Sequence, residues 1–509
     1  MTGIRLIERA EGRGDASAVA SGGEHHSYAN LLRASAGVAA ALLDGEEDLR
    51  EARVASLIPG SLEYAAAQWG VWRAGGVAVP LSVAAAAPEL EHVLTDAGVR
   101  SVVASRGLKA RIEPLCQRLG VGLLSVEDTL ETEACTLPRV AAERRAMILY
   151  TSGTTSKPKG VVTTHANIEA QITALVEAWG WQEDDRIPLF LPLHHVHGIV
   201  NVLGCALWSG AFVDAFESFD LDHILERVGQ KAYTVFMAVP TIYVKLIQAL
   251  ESAAPEERQR YAGGFASMRL MISGSAALPA SVHEKWTELT GQRLLERYGM
   301  TEIGMGLSNP LRGERRPGAV GQPLPRVDVR LAAESGEVIE GQDEPGEIQV
   351  RGPAVFREYW NQPEVTQASF VDGWFRTGDM AVLENGYYRI LGRLSVDIIK
   401  SGGHKLSALE IEDVLRQHPA IRDCAVVGLA DDTWGEIVAV AALIREGTGL
   451  DLAGLQAWAN ERLSRDKIPR RLKVVPDFPR NAMGKVMKPA VRDLFEPSHG
   501  VSDPSGQAS

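Results

Sequence analysis

Cysteine is scarce in this 509-residue chain, with only Cys116, Cys135, Cys205 and Cys424. No two stand as C-x-x-C, so neither a zinc knuckle nor a disulfide framework is indicated. A reducing, cytoplasmic setting is expected. An excess of positive charge is also missing. Lys and Arg number 52 against 65 Asp and Glu, for a net charge of −13. That argues against a nucleic-acid partner, because phosphate backbones attract basic surfaces. It also disfavours docking on anionic membranes. Long apolar runs are absent. The longest stretch free of both charged residues and histidine, 198–213, holds three glycines and is shorter than the roughly 20 residues that cross a bilayer. A buried helix or strand pair is expected there. The first ten residues mix acids with arginines and lack the apolar core of a secretory leader. No repeat of fixed period is present.

What is present is the mix of a soluble globular protein, 45% apolar and 23% charged. The length exceeds one hydrophobic core, so two or more domains are expected. Apolar strands at 54–58, 76–80, 99–104 and 146–150, with a helix over 64–73, predict an α/β architecture with a mostly parallel sheet. Ile168, Ile172, Leu175 and Val176 fall on one helical face. From about Val327, short strands at 327–331, 346–351, 381–383 and 387–391 suggest a small antiparallel β unit. Beyond Gly392-Arg393 the pattern is a small α+β unit, with helices at 409–417 and 452–463 and strands at 424–429, 437–444 and 473–475. The expected domains are 1–394, a hinge at 395–396, and 397–495. The tail 496–509 has little to bury and is expected to be disordered. Nothing in the sequence speaks to oligomeric state.

The chemistry-bearing segments begin with an apolar strand feeding Thr151-Ser152-Gly153-Thr154-Thr155-Ser156-Lys157-Pro158-Lys159-Gly160. Hydroxyls and backbone N–H groups can wrap a polyphosphate, and a lysine can neutralise it. The pattern is not the kinase-type G-x-x-x-x-G-K-[ST] loop. A polar surface loop is the plainer reading of this segment alone. Further along stand Ser273-Gly274-Ser275-Ala276-Ala277-Leu278-Pro279 and Glu296-Arg297-Tyr298-Gly299-Met300-Thr301-Glu302. They are followed by Trp374-Phe375-Arg376-Thr377-Gly378-Asp379, Gly392-Arg393 and Pro479-Arg480-Asn481-Ala482-Met483-Gly484-Lys485.

In that order, over nearly the whole chain, these segments resemble the acyl-adenylating superfamily of acyl-CoA synthetases, luciferases and peptide-synthetase adenylation domains. The resemblance implies a large N-terminal domain and a small mobile C-terminal one. It implies that 151–156 and Lys159 hold phosphates, that Gly274, Ser275 and Ala276 line the adenine side, and that Tyr298, Gly299 and Met300 pack on the base. Thr301 would touch phosphate and Glu302 would hold Mg²⁺, a cation that takes a carboxylate or two beside phosphate oxygens. Asp379 would accept the ribose hydroxyls with Arg393 as its partner, and Lys485 would bridge carboxylate and α-phosphate. Lys400, Ser401, Gly402, Gly403 and His404 resemble the loop that meets the thiol of coenzyme A. Ser156 departs from the glycine of most members. Three residues, where many members have two, separate Arg393 from Asp397, which leaves the pivot open between Ser395 and Val396.

For the acid, Leu191-Pro192-Leu193-His194-His195-Val196-His197-Gly198 is informative. His195 matches the family's gate to the acyl pocket, and His194 replaces a bulky aromatic. Three close histidines also suggest a metal site, although no neighbouring carboxylate or cysteine completes one. Arg297 matches a position facing the acyl pocket. An apolar substrate would strand a buried arginine, whereas a second carboxylate would pair with it. An ion pair with Glu296 or Glu302 is the plainer reading. Lys245 is a further candidate cation. Together these segments resemble malonyl-CoA and methylmalonyl-CoA synthetases, of the acyl-CoA synthetase family member 3 type. The expected activity is ATP-dependent ligation of a small dicarboxylic acid to coenzyme A. A ligase for a short monocarboxylate or aryl acid, an adenylate-binding protein without turnover, or a luciferase-like oxygenase are the competing readings.

Overall fold

The computed structural model of the chain describes residues 3–151, 158–402, 404–480 and 486–495. Ser152, Gly153, Thr154, Thr155, Ser156, Gly403, Lys485 and the tail from residue 496, all singled out above, lie outside the described residues. The chain divides into two compact units. One holds the residues up to Thr377 together with Val382–Ile390, and the other holds Gly378–Ala381 and the residues from Leu391 onward.

In the first unit a seven-stranded sheet runs in the order Glu358–Tyr359, Lys159–Thr164, Arg145–Thr151, Val77–Pro80, Arg53–Leu57, Ser101–Ala104, Gly122–Ser125. The last five strands are mutually parallel. The four inner ones are short, largely apolar runs buried on both faces, the pattern of a helix-covered sheet, while the edge strand Gly122–Ser125 is partly exposed. Ser61 caps the helix Leu62–Arg73 by accepting from the backbone of Tyr64 at 3.3 Å. That helix buries Trp69 and Trp72, and the Trp72 indole donates to the carbonyl of Ala146 at 2.7 Å. A second sheet, Val235–Ala238, Leu270–Ser273, Leu295–Met300, Gly304–Ser308 and Gln322–Pro323, is parallel in its first three strands and antiparallel beyond. A four-stranded sheet joins Glu24–Ser27, Ser17–Ser21, Phe212–Ala215 and Arg186–Leu189.

Strand Arg145–Thr151 pairs antiparallel with Lys159–Thr164, setting Thr151 opposite Lys159. The uncharged stretch 198–213 is buried, as expected. It forms a π-helix, His197–Gly204, then an α-helix, Cys205–Ser209, then the start of strand Phe212–Ala215. The antiparallel β unit is present as a six-stranded sheet built on Asp328–Ala332, Gly346–Arg351 and Trp374–Glu384.

The second unit carries a five-stranded sheet with His404–Ser407, Ile398–Ser401, Gly435–Ile444 and Ile421–Asp431 in order, and Arg471–Val474 parallel to Gly435–Ile444. Helices Ala408–Leu415 and Leu452–Asn460 pack on one face of it. No helix among the described residues is long and apolar enough to cross a membrane.

Candidate active site

Three constellations gather the sequence-selected residues, two in the first unit and one in the second. The first lies at the base of the hairpin. Lys159 places its Nζ over the ring of Tyr359, 5.3 Å from the centroid. Tyr359 reaches it because Glu358–Tyr359 pairs with Val161 and Val162 of the hairpin's return strand. The Tyr359 hydroxyl donates to Oε1 of buried Glu302 at 2.9 Å. The backbone of Phe356 donates to the Glu302 carbonyl at 2.7 Å. Glu302 and Thr301 sit in the turn between Leu295–Met300 and Gly304–Ser308. Lys159 and the Glu302 carboxylate are therefore brought together through one tyrosine. Sequence reasoning missed Tyr359, since nothing local marks it and its partner is 57 positions away. Glu302 is a hard oxygen ligand of the kind Mg²⁺ takes singly beside phosphate oxygens, and among the described residues no cluster of three or more His, Cys, Asp or Glu side chains stands ready for a metal.

The second constellation gathers the residues expected to meet the acid. Strand Leu270–Ser273 ends at Gly274-Ser275, and its parallel neighbour Leu295–Met300 sets Glu296 beside Ser273. Arg297 then reaches across this turn. A Cβ on Gly274 would stand 2.6 Å from the Arg297 Cζ, so only glycine lets the guanidinium lie against the backbone. Ser275 adopts a left-handed φ of 70°, a strained conformation for a side-chain-bearing residue of the kind that clusters at functional sites. Its Oγ accepts from Arg297 Nη2 at 3.2 Å and faces His197 Nδ1 at 3.2 Å. Ser275, expected on the adenine side, therefore turns its side chain toward Arg297 and His197.

Arg297 is 4% exposed. Its Nε has no hydrogen-bond partner, and no carboxylate contacts it among the described residues. The plainer reading of an internal ion pair is overturned. Glu296 accepts from the backbone of Gly318 at 2.9 Å, and Glu302 is engaged by Tyr359. Burial lowers the Arg297 guanidinium to about 9. Around it the histidines are held neutral. Burial, and then the neighbouring His195, pulls His194 down to about 3. Burial lowers His195 to about 4. His197 lies well below its ordinary value through burial, then Arg297 and His195. The His194 and His195 rings lie 4.0 Å apart, and the Nε2 atoms of His195 and His197 are buried without partners. His197 opens a π-helix, a form that often marks functional sites. Lys245 is corrected: it is exposed on helix Pro240–Ser252 and adds no buried charge here.

The third constellation belongs to the second unit. Asp379, 7% exposed, accepts from Arg393 Nε at 3.0 Å. The backbone of Leu394 donates to the Gly378 carbonyl at 2.9 Å, which fastens the two segments. In the loop expected to meet the thiol, Lys400 and Ser401 end strand Ile398–Ser401 and His404 begins the next. Gly402 turns between them at a φ of 57° and donates to the Trp434 carbonyl at 2.8 Å.

A parallel-sheeted unit with a hydroxyl- and lysine-bearing hairpin, followed by a small α+β unit, defines a nucleotide-using class. The chain matches the family described as AMP-binding enzyme over residues 6–360, and the AMP-binding enzyme C-terminal domain over 410–485. It belongs to the AMP-binding enzyme family. Its relatives include the mitochondrial malonate–CoA ligase ACSF3 of Bos taurus, 43% identical, with 98% of this chain and 92% of that protein covered. The malonate–CoA ligase of Arabidopsis thaliana is 38% identical, covering 95% and 86%. Among solved structures, ATP-bound MatB from Rhodopseudomonas palustris superposes with a TM-score of 0.87 at 34% identity, covering 97% of this chain and 99% of that one.

Proposed function

We propose that this enzyme ligates malonate, or its methyl-substituted homologue, to coenzyme A, using ATP and passing through an acyl-adenylate. The observation that carries the choice of acid is Arg297, a buried cation with no internal carboxylate. A dicarboxylate offers one carboxylate for activation and a second for Arg297. A monocarboxylate or aryl acid would leave the cation stranded, at a cost on the order of several kcal/mol. The malonate–CoA ligases among the relatives support the same substrate class.

One substrate carboxylate oxygen attacks the α-phosphorus, and the bond to pyrophosphate breaks. Sulfur then attacks the acyl carbon, AMP departs with the bonding pair, and the thiol proton is released. Both reactants of the first step are anions, so cations must offset their repulsion. We assign Lys159 and Lys485 to that task, with Mg²⁺ held by Glu302, which supplies further charge neutralisation on the phosphates when bound. Asp379 and Arg393 would hold the ribose, and the 400–404 loop the pantetheine. One active centre then needs two arrangements, and we infer that the small unit pivots near Ser395 or Val396, exchanging Lys485 for that loop. We place the enzyme in a reducing, cytoplasmic compartment, on the strength of its free cysteines. Cell fractionation tests this, because the animal relatives' names carry a mitochondrial address.

A pyrophosphate-release assay across two- to six-carbon mono- and dicarboxylic acids tests the substrate. Malonate or methylmalonate should lead, and Arg297→Ala should raise the malonate KM sharply while sparing acetate. Unchanged malonate turnover in that variant would sink the dicarboxylate reading. For the lysine, Lys485→Ala should lose adenylation yet still convert added acyl-adenylate to thioester. Equal loss in both steps contradicts its role.

A further inference from the structure

The second unit buries a lysine that the two-step chemistry does not use. Lys488 opens the helix Lys488–Asp493, three positions after Lys485. Its Nζ lies 2.7 Å from Asp397 Oδ1 and 2.8 Å from Glu412 Oε1. The side chains of Lys488, Asp397 and Glu412 are 12%, 17% and 4% exposed. Burial opposes its charge, but the Glu412 and Asp397 carboxylates outweigh that and raise the ammonium above its ordinary value.

Each partner is fixed to a different part of the unit. Asp397 is the first residue after the expected hinge at 395–396. Its Oδ2 accepts from the Arg393 backbone at 3.0 Å, and its carbonyl accepts from Ala408 at 2.8 Å. A Cβ on Gly392 would stand 2.4 Å from the Asp397 Cβ, so the turn closes tightly on this acid. Glu412 is anchored in the core, accepting from the Val426 backbone at 2.8 Å and from Arg416 at 3.1 Å. The loop that carries Lys485 is itself closed at its base, since Met487 donates to the Pro479 carbonyl at 2.8 Å and Arg480 bridges Val486. Lys488 is the next residue along. A buried ion pair is a poor route to stability, because apolar replacements are often as stable or more so. The contacts here do something else: they tie the chain just beyond Lys485 to the first residue after the expected hinge.

We propose that Lys488 is a positioning residue for the adenylation step, fastening the chain just beyond Lys485 to Asp397, the first residue after the expected hinge, and to Glu412. This rests on the reading of Lys485 as the adenylating lysine. It differs from a simple stabilising role in what it predicts for the two half-reactions, because only adenylation needs the loop in place.

The test uses the full-length enzyme and measures malonate-dependent ATP–pyrophosphate exchange and thioester formation from supplied malonyl-adenylate separately. Misplacing a reacting group by about 1 Å costs about 100-fold, so Lys488→Met should lower exchange by about that factor while thioester formation stays within about threefold. Lys488→Arg, which keeps the charge, should recover most of the loss. Circular dichroism establishes that each variant is folded at the assay temperature. If Lys488→Met does not fold, Asp397→Asn keeps the Glu412 pair in the core and should show the same split, with a smaller drop. A proportional loss in both half-reactions, or a folded Lys488→Met with full exchange, overturns the proposal. Lys485→Ala separates the two readings. Retained exchange in that variant means the assignment of Lys485 has failed. Loss there beside an unsplit Lys488→Met means the positioning role alone has failed.

Discussion

At the residue scale, the proposed selectivity rests on one guanidinium and what is withheld from it. Glu296 and Glu302 flank Arg297 in sequence, yet one is held by the Gly318 backbone and the other by Tyr359. With only Ser275 and neutral histidines around it, Arg297 titrates near 9 in the unliganded protein. A bound carboxylate favours the charged form, so dicarboxylate binding takes up a proton above that pH. Affinity is therefore full below about pH 9 and lost as the pH rises through it. The kcat/KM for malonate should decline there with a limb of unit slope that acetate lacks. A profile identical for both acids would show that Arg297 does not meet substrate. The histidines, held down at about 3 to 4, add no limb between pH 5 and 8.

At the scale of elements, much of the architecture was legible. The strands at Arg53–Leu57, Val77–Pro80 and Gly346–Arg351 were expected within a residue or two. Short β-branched runs bounded by turns carry their own signal. The π-helix at His197–Gly204 was not legible, because a run such as Gly-Ile-Val-Asn-Val-Leu-Gly shows no period that separates one helical winding from another. Nor was the tyrosine link between Lys159 and Glu302, which depends on a two-residue strand joining a sheet edge from far along the chain. Local pattern reveals which residues face inward, while long-range register decides which of them meet. Asp185 shows the same limit. Only 2% of its side chain is exposed, and it receives Arg269 at both carboxylate oxygens and Thr234 at 2.7 Å, binding the turn before Arg186–Leu189 to the start of Leu270–Ser273. Removing Arg269 strands the buried carboxylate, so Arg269→Ala should cost about 3–5 kcal/mol in chemical denaturation. A loss below about 1 kcal/mol, the range of exposed pairs, would show that the network carries little.

At the scale of the whole molecule, the unpaired arginine has a consequence for folding. If the second carboxylate of the acid pairs with Arg297, as proposed, the counterion of a cation buried in the first unit arrives with the substrate. Mass action then makes the acid a stabiliser, by about 2.7 kcal/mol at a hundredfold excess over its Kd. Malonate should raise the thermal midpoint in a concentration-dependent way, and acetate should not. Arg297→Met should start from a midpoint at or above that of the unliganded wild type and ignore malonate altogether. An enzyme so built is held together in part by what it consumes, and its resistance to proteolysis should rise and fall with the supply of the acid.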